Sequence, residues 1–496
     1  MRNPVETTSS LKRQLGLMGL TATGICSMIG ASIYVVPFMI QRNVPGIGPY
    51  VLPAFLLAAL PALLAAFAYA LLSSAMPRAG GSYIYASRAL HPYLGFVASF
   101  SQWFGLSIVI GVVSFVIVPF VRDVALALSL NEIAAYLDRG WIRVALAMLF
   151  LWTFVFVNIR GVKLYERTLL PLMLLMFVLG GIVIIAGWQY TQEDFLQAVL
   201  GKEGRVIEPV SPSFSFMTLI TAASLLFASF IGFDSIAQAG GEARNPSRNL
   251  PLAIFLAILL VSLYYVLFTQ SVYHTVPWYF VAAEALQKDV TAPGLLSYVL
   301  PSGWGVLIVL GAAIALLNDL PAMILSVSRL MYSWAEDGIF PHTLAKVHMR
   351  FRTPYRAIVL SGGVASIGIL GCHFAGDFFL GIDIMVTSMM VNFLLMCVSL
   401  LWLPIRNPML AKNISVIKSR ALQKGIAIAG IVLIGFFLII HTVKDLSNTA
   451  AAWYFHSTPV WLIVMALASI VFWIRWRNMI RAGVNTRELF SKLPDE

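Results

Sequence analysis

Long runs of uncharged, mostly apolar residues fill most of this 496-residue chain. Eleven of these runs are at least nineteen residues long, and a shorter twelfth covers 144–159. The longer runs are 14–41, 43–77, 89–121, 168–192, 209–233, 249–283, 290–318, 357–376, 384–405, 425–443 and 446–474. About 20 helical residues cross the hydrocarbon core of a bilayer, so the pattern predicts twelve membrane-spanning helices. The eighth span continues through Asp319 to about Trp334.

Two of the predicted spans carry small residues at their centres. The first span contains Ser-Met-Ile-Gly-Ala-Ser at 27–32, and the sixth contains Phe-Ile-Gly-Phe-Asp at 230–234. Lipid cannot satisfy bare backbone groups, so an unwound segment at this depth must face protein, water or a ligand. Breaks at matching positions of two halves indicate the central site of a secondary transporter. The alternative is that each small-residue segment is only a helix-packing face.

The charges add an orientation to this pattern. The chain is 59% hydrophobic and 11% charged, which is too apolar for an ordinary soluble domain. With twelve spans both termini lie on one side, and 25 of the 33 Lys and Arg residues are on that side. The positive-inside rule then predicts a multi-pass protein of the inner (cytoplasmic) membrane with both termini in the cytoplasm. Basic loops beside anionic lipid also account for the net charge of +11, so no nucleic-acid partner is expected.

The expected organisation follows from the breaks and the charges. We expect a cytoplasmic N-terminus at 1–13, spans one to five at 14–192, spans six to ten at 209–405, spans eleven and twelve at 422–476, and a cytoplasmic tail at 477–496. An outer loop is expected to hold a short surface helix at about 278–286. The three cysteines and seven histidines show no spacing typical of metal ligands, and no cofactor is expected.

The two breaks differ in the charge that they would bind. Beyond the first break, a second half-helix starting near Ile33 would present free N–H groups and its positive dipole end to a carboxylate. In the sixth span, a break near Ile231 and Gly232 would leave carbonyls of residues 228–231 free to accept from an ammonium group. A ligand with one anionic and one cationic end fits both, and an α-amino acid is the commonest small one.

Four ordered motifs resemble the amino acid, polyamine and organocation transporter superfamily over nearly the whole chain. They are Met-Ile-Gly-Ala-Ser-Ile-Tyr at 28–34, Pro-Arg-Ala-Gly-Gly-Ser-Tyr at 77–83 with the following Tyr85, Pro92, Gly95 and Phe96, Gly-Phe-Asp at 232–234 with Gly-Glu-Ala-Arg-Asn-Pro at 241–246 and Arg-Asn-Leu-Pro at 248–251, and Ser-Arg at 328–329 with Glu-Asp-Gly-Ile-Phe-Pro at 336–341. The resemblance implies an all-α polytopic membrane protein with the leucine-transporter fold, a 5+5 inverted repeat plus two helices. It also implies alternating access around a central site.

The resemblance further implies a set of substrate-binding residues. The backbone of Ile29, Gly30, Ala31 and Ser32 would bind a carboxylate. The amine would meet the backbone from Ala228 to Ile231. The expected site also includes Phe230, Gly232 and Met323.

Three positions depart from the family pattern. Ser32 replaces the usual second glycine. Ala228 replaces an aromatic gate that several members carry. Either Phe227, Phe230 or Met323 would then take over gating, or the cargo would be larger than a small neutral amino acid. Met173 falls near a lysine that many proton-coupled or sodium-independent relatives carry in span five. Coupling by a lysine at that position is therefore not expected.

Acidic residues inside spans are costly and mark functional sites. Asp319 in span eight is expected to bind a proton or an amine on the face towards span one, or else to hold the bent helix around Pro321. Asp234 is expected to cap or link the inner half-helix of span six, with a role in coupling as the alternative. Glu242 is expected to pair with Arg78, Arg88 or Arg248 as a cytoplasmic gate latch.

The function expected from these residues is secondary active transport of an amino acid, either coupled to protons or by exchange. A polyamine or organic-cation carrier is the alternative that Asp319 favours. A membrane-embedded enzyme would need a nucleophile and base or a metal constellation, and none appears in the sequence. A sensor or channel would not need both breaks. The sequence leaves the oligomeric state and the substrate side chain open.

Overall fold

The architecture was obtained from a computed structural model that describes residues 11–30, 32–375, 379–447 and 456–494. The described chain is almost entirely helical, and twelve of its helices are long and apolar enough to cross a membrane. This agrees with the expected number of spans. The eighth span is one helix that runs through Asp319 to Glu336, as the sequence indicated.

The helices are numbered in chain order. Spans one to five comprise α1 (Leu17–Met28), α2 (Ser32–Asn43), α3 (Val51–Ala75), α4 (Gly81–Ala89), α5 (Pro92–Ala127), α6 (Asn131–Leu137), α7 (Gly140–Ile159) and α8 (Val162–Gln189), of which α1 and α2 together form span one and α4 and α6 are short connections. Spans six to ten and their connections comprise α9 (Gln192–Glu203), α10 (Phe216–Leu226), α11 (Ser235–Gln238), α12 (Pro246–Thr275), α13 (Trp278–Gln287), α14 (Ala292–Leu296), α15 (Ser302–Glu336), α16 (Tyr355–Ala375) and α17 (Phe379–Arg406). The remaining helices are α18 (Pro408–Ala411), α19 (Arg420–Ser447), α20 (Ser457–Arg481) and α21 (Thr486–Leu489).

Helix boundaries in the chain follow local chemistry. Helix α5 begins at Pro92, whose missing N–H costs nothing in a first turn, and His91 Nδ1 accepts from the amide of Tyr93 at 3.1 Å. Helix α9 begins with a capping box between Thr191 and Asp194. The expected surface helix near 278–286 is present as α13.

Burial separates the central spans from the peripheral ones. The most apolar stretch of span one is 88% buried in the protein, whereas that of span twelve is 22% buried. Large apolar side chains such as Val178, Ile185 and Val432 are exposed on the outside of the bundle, where hydrocarbon would cover them. Span one therefore lies in the middle of the bundle, in contact with α8, α12 and α15.

Both broken spans occupy the first position of a set of five. The chain crosses the membrane five times, in spans one to five, before span six begins. Spans one and six therefore enter the membrane from opposite sides. This arrangement is the one that the expected inverted repeat requires.

Candidate substrate site

The first break lies between α1 and α2. Helix α1 ends at Met28, whose carbonyl accepts a hydrogen bond from the Tyr265 hydroxyl at 2.6 Å. Ile29 has φ −90° and ψ 86°, so the helical path ends there, and α2 begins at Ser32. The first amides of a helix have no acceptor within that helix, so the start of α2 presents donors beside the break. Ala31 lies outside the described residues.

Asp319 approaches the first break from span eight. A Cβ atom built on Gly30 would lie 2.5 Å from Asp319 Oδ2, so the carboxyl group takes the space beside the glycine. Asp319 is buried, and its Oδ1 has no hydrogen-bond partner in the described part of the chain. The neighbouring Asn318 donates to Cys26 Sγ at 2.8 Å, which ties span eight to α1. An unpartnered buried carboxyl oxygen at a helix break is suited to binding a proton or a cationic group.

The second break lies between α10 and α11. Residues Phe227–Phe230 form a short 3-10 helix, and Ile231 is extended with φ −76° and ψ 129°. The Ala228 carbonyl accepts from the Ile231 amide at 3.2 Å, so this one of the four expected carbonyls is used inside the turn. Gly232 has a φ of +139°.

The two breaks are in direct contact. A Cβ atom on Gly232 would lie 2.2 Å from the Ser27 carbonyl oxygen, and the Ser27 and Ser235 hydroxyls are 3.0 Å apart. Glycine is therefore required at 232 both by the positive φ and by the approach of the α1 backbone. The structure thus brings Gly30 of span one beside Asp319 of span eight, and Gly232 of span six against the end of α1.

The candidate gate residues take different positions. Phe230 packs against Tyr265 at a ring-centroid distance of 5.7 Å and against Phe55 at 6.3 Å, next to the first break. Phe227 instead contacts Phe393 and Phe437, in spans ten and eleven. Met323 is buried one turn beyond Asp319, and Ala228 is half-buried. Only Phe230 among the aromatic candidates lies against a side chain that contacts the break.

Asp234 has a different setting from Asp319. Its carboxyl accepts from the Gly232 amide at 3.2 Å and from the Gln102 side-chain amide in α5. It forms no side-chain cap on α11, so the expected capping role is wrong, but it does link the break to span three. Gln102 and Gln238 continue this buried network to the Ser82 hydroxyl.

The side chain at the expected position of the family lysine is apolar and buried. Met173 follows Tyr165 and Leu169 at intervals of four on the buried face of α8. Nearer the start of the same helix, the Tyr165 hydroxyl contacts the Thr23 hydroxyl of α1 at 2.8 Å. Span five therefore meets span one through a hydroxyl pair and apolar packing.

The partner expected for Glu242 was wrong. Glu242 is fully buried and pairs with Arg329 of span eight, at 2.6 Å from Nη2 and 3.0 Å from Nε. Arg88 pairs instead with Asp337, at 2.5 and 2.9 Å. The sequence predicts a latch in this region, but Arg329 lies inside a predicted span, so the sequence gives no sign that it is the partner of Glu242.

Backbone contacts close the same end of the bundle. The amides of Gln14 and Leu15 donate to the Glu242 carbonyl at 2.8 and 2.9 Å, and the Arg244 amide donates to the Leu15 carbonyl at 2.8 Å. The segment before span one is therefore fixed to the segment after span six. Together with the two buried ion pairs, these bonds tie the ends of spans one, six and eight to one another.

Comparison with known proteins shows the family of this chain. The family model described as amino acid permease matches residues 15–476. The chain belongs to the amino acid permease family. It is 27% identical to the methylthioribose transporter of Bacillus subtilis (strain 168) over 382 residues, which cover 75% of this chain and 78% of the relative. It is also 27% identical to the branched-chain amino acid permease BcaP of the same organism over 364 residues, covering 72% and 74% of the two chains.

A more distant match is the cationic amino acid transporter 4 of Mus musculus, 26% identical over 379 residues, which cover 72% of this chain and 56% of that protein. The relatives are named as transporters or permeases, and this amino acid permease accordingly has the twelve apolar helices of a multi-pass membrane protein.

Proposed function

We propose that this amino acid permease is a secondary active transporter that moves an amino acid across the cytoplasmic membrane by alternating access. The observation that carries the proposal is the contact between two broken spans, with donors at the start of α2 beside Gly30 and an extended chain at Ile231. A zwitterion would place its carboxylate at Gly30 to Ser32 and its amine at residues 228–231. The names of the relatives differ in substrate, so the side chain of the cargo is left to experiment.

The position of Asp319 supports proton coupling. A Cβ built on Gly30 would lie 2.5 Å from Asp319 Oδ2, so the carboxyl borders the break at which the substrate carboxylate is proposed to bind. An ionised Asp319 and an ionised substrate carboxylate side by side in a low-dielectric site would repel each other strongly. A protonated Asp319 removes the repulsion and can donate a hydrogen bond. Substrate and proton would therefore bind together and leave together.

Removing the titratable group tests this coupling. Asp319→Asn keeps the shape and a hydrogen-bond donor, so we expect substrate binding and exchange to persist while accumulation driven by a pH gradient is lost. The measurement is uptake of a labelled amino acid panel into liposomes that contain the pure protein. Asp383→Asn, a carboxyl in α17 of span ten, is the control. Accumulation by the Asp319→Asn variant with only a proton gradient supplied would move coupling to another group.

The second candidate function is transport of a polyamine or another organic cation. The unpartnered Oδ1 of Asp319 favours it, since an ionised carboxyl at the break would attract an ammonium group. Competition separates the two candidates. Decarboxylated and amidated analogues should compete poorly if an amino acid is the cargo, and as well as the parent compound if the cargo is a cation.

The two buried ion pairs would act as the cytoplasmic latch of alternating access. Glu242→Gln removes one charge and leaves Arg329 buried without its counter-ion, an arrangement that typically costs about 3–5 kcal/mol. We expect a lower melting temperature in detergent and faster labelling of a cysteine placed at Ser27 from the cytoplasmic side. The control is Asp289→Asn, which breaks the exposed Arg42–Asp289 pair at 2.9 Å and should cost about 1 kcal/mol or less.

Cysteine labelling tests the orientation of the chain in the membrane. In a variant that lacks the native cysteines at 26, 372 and 397, a single cysteine at Arg205 should react with an impermeant thiol reagent added to whole cells. A cysteine at Arg244 should stay unlabelled until the membrane is permeabilised. Reversed labelling would place both termini outside.

A further inference from the structure

A basic cavity lies at the end of the bundle that also carries the ion pairs Glu242–Arg329 and Arg88–Asp337. Its volume is about 540 Å³. Three separate parts of the chain form its wall: the segment before span one, the connection between spans four and five, and the connection between spans eight and nine. Five basic side chains line it, namely Lys12, Arg160, Lys163, Arg350 and Arg352.

None of these five cations is paired with a carboxylate in the described part of the chain, and no acidic side chain lines the cavity. Glu166, one turn further into α8, is turned the other way: its Oε1 would lie 2.6 Å from a Cβ built on Gly19 of α1. The positive-inside rule requires basic residues in cytoplasmic loops, but it does not require those from different loops to lie close together in space. Here cations more than 300 residues apart in sequence converge on one concave space.

The wall of the cavity is held in place. The Thr353 hydroxyl donates to the Ile159 carbonyl at 2.8 Å, which joins the two connections. Gly161 has a φ of +105°, and a Cβ there would lie 3.2 Å from the Phe351 carbonyl oxygen, so the backbones meet closely. The Arg160 guanidinium lies 4.5 Å from the ring of Phe156 and 5.5 Å from that of Phe351, which orients it.

Backbone donors add to the positive charge. The cavity includes Gly161, Val162 and Lys163, the start of the 28-residue helix α8, and Gly161 provides no side-chain cap. The first amides and the positive dipole end of this helix therefore face the same space as the cations.

We propose that this cavity binds a phosphate-bearing anion. A phosphate offers several acceptor oxygens that arginine and lysine side chains and helix N-terminal amides can share. Two sources supply this chemistry: the headgroup of an anionic phospholipid in the adjacent leaflet, and a soluble phosphate or polyphosphate in the cytoplasm. Because the cavity touches the segment that leads into α1, an anion bound there would join that segment to spans five and nine.

The experiment measures thermal unfolding of the full-length protein in detergent. Pyrophosphate is the soluble probe, and phosphatidylglycerol added to the micelles is the lipid probe, with phosphatidylcholine as its neutral control. We expect one of the two anionic probes to raise the melting temperature in a saturable way. Stabilisation by pyrophosphate identifies a soluble anion, and stabilisation by phosphatidylglycerol alone identifies the headgroup.

Variants then assign the effect to the cavity. Lys163→Gln with Arg350→Gln should weaken binding of the effective probe by about tenfold or more, because two charge-assisted contacts are lost. Arg352→Gly removes a third charge and suits the local φ of +58°, so it should fold normally and bind several-fold more weakly. Lys412→Gln with Lys418→Gln, two exposed cations outside the cavity, should bind like the wild type. The proposal is overturned if neither probe stabilises the wild type, or if the control variant loses as much affinity as the cavity variants.

Discussion

The two broken spans look alike in sequence but differ in what surrounds their glycines. At Gly30 the neighbour is the end of a side chain, the Asp319 carboxyl. At Gly232 the neighbour is backbone, the Ser27 carbonyl of the other broken span. The first break therefore borders a group that a ligand or a proton can displace. The second is fixed by packing and supports the first.

This comparison makes Gly232→Ala the most damaging substitution at the breaks. Alanine at a φ of +139° stores backbone strain of roughly 1–3 kcal/mol, and its methyl group would overlap the Ser27 carbonyl oxygen, which cannot rotate away. We expect a large fall in melting temperature and loss of uptake. Gly435→Ala in span eleven is the control, since nothing lies within 4 Å of its added Cβ. A Gly232→Ala variant that is stable and active would show that the second break is mobile.

Gly30→Ala should separate folding from transport. Its methyl group meets only the Asp319 carboxyl, which can turn aside, so the melting temperature should stay near the wild-type value. The methyl group and the displaced carboxyl occupy the place proposed for the substrate carboxylate, and uptake should fall by about tenfold or more. Gly30→Ala with Asp319→Ala removes the overlap and should regain binding if crowding by Asp319 is the cause. Normal uptake by Gly30→Ala alone would remove the break from the site.

The smallest effect on transport is expected from Tyr265→Phe. This change leaves the Met28 carbonyl at the end of α1 without its donor at 2.6 Å, which costs about 1–3 kcal/mol for a buried group. We expect a several-fold weaker apparent affinity in addition, because the end of α1 borders the first break. Tyr273→Phe on the same span loses a similar bond to the Pro37 carbonyl at 2.8 Å, away from the break. Equal effects of the two variants on affinity would show that Tyr265 acts only through stability.

The local features of this molecule could be predicted from the sequence. The uncharged runs located all twelve candidate spans, because hydrocarbon imposes a length and a composition on every helix that crosses it. The small residues at 27–32 and 230–234 located the interruptions of spans one and six, and at 232 the glycine supplies a positive φ that other residues rarely adopt. The four ordered motifs indicated the transporter family to which the chain belongs.

Pairing between distant residues could not be read in the same way. Arg329 lies inside an apolar span, and its pairing with Glu242 is not predictable from the sequence, because burial of both charges depends on how span eight packs against the segment after span six. Phe227 and Phe230 are three residues apart in sequence, yet the 3-10 turn between them sends one to spans ten and eleven and the other to Tyr265.

By itself the sequence determined the number of spans, their interruptions and the excess of Lys and Arg on one side, because these depend on the solvent and on short stretches of chain. Tertiary structure alone decided that Asp319 lies beside Gly30, that Gly232 abuts Ser27, and that five cations from three segments share one cavity. The physical reason is that such contacts depend on the packing of helices hundreds of residues apart, and no local pattern encodes which faces meet.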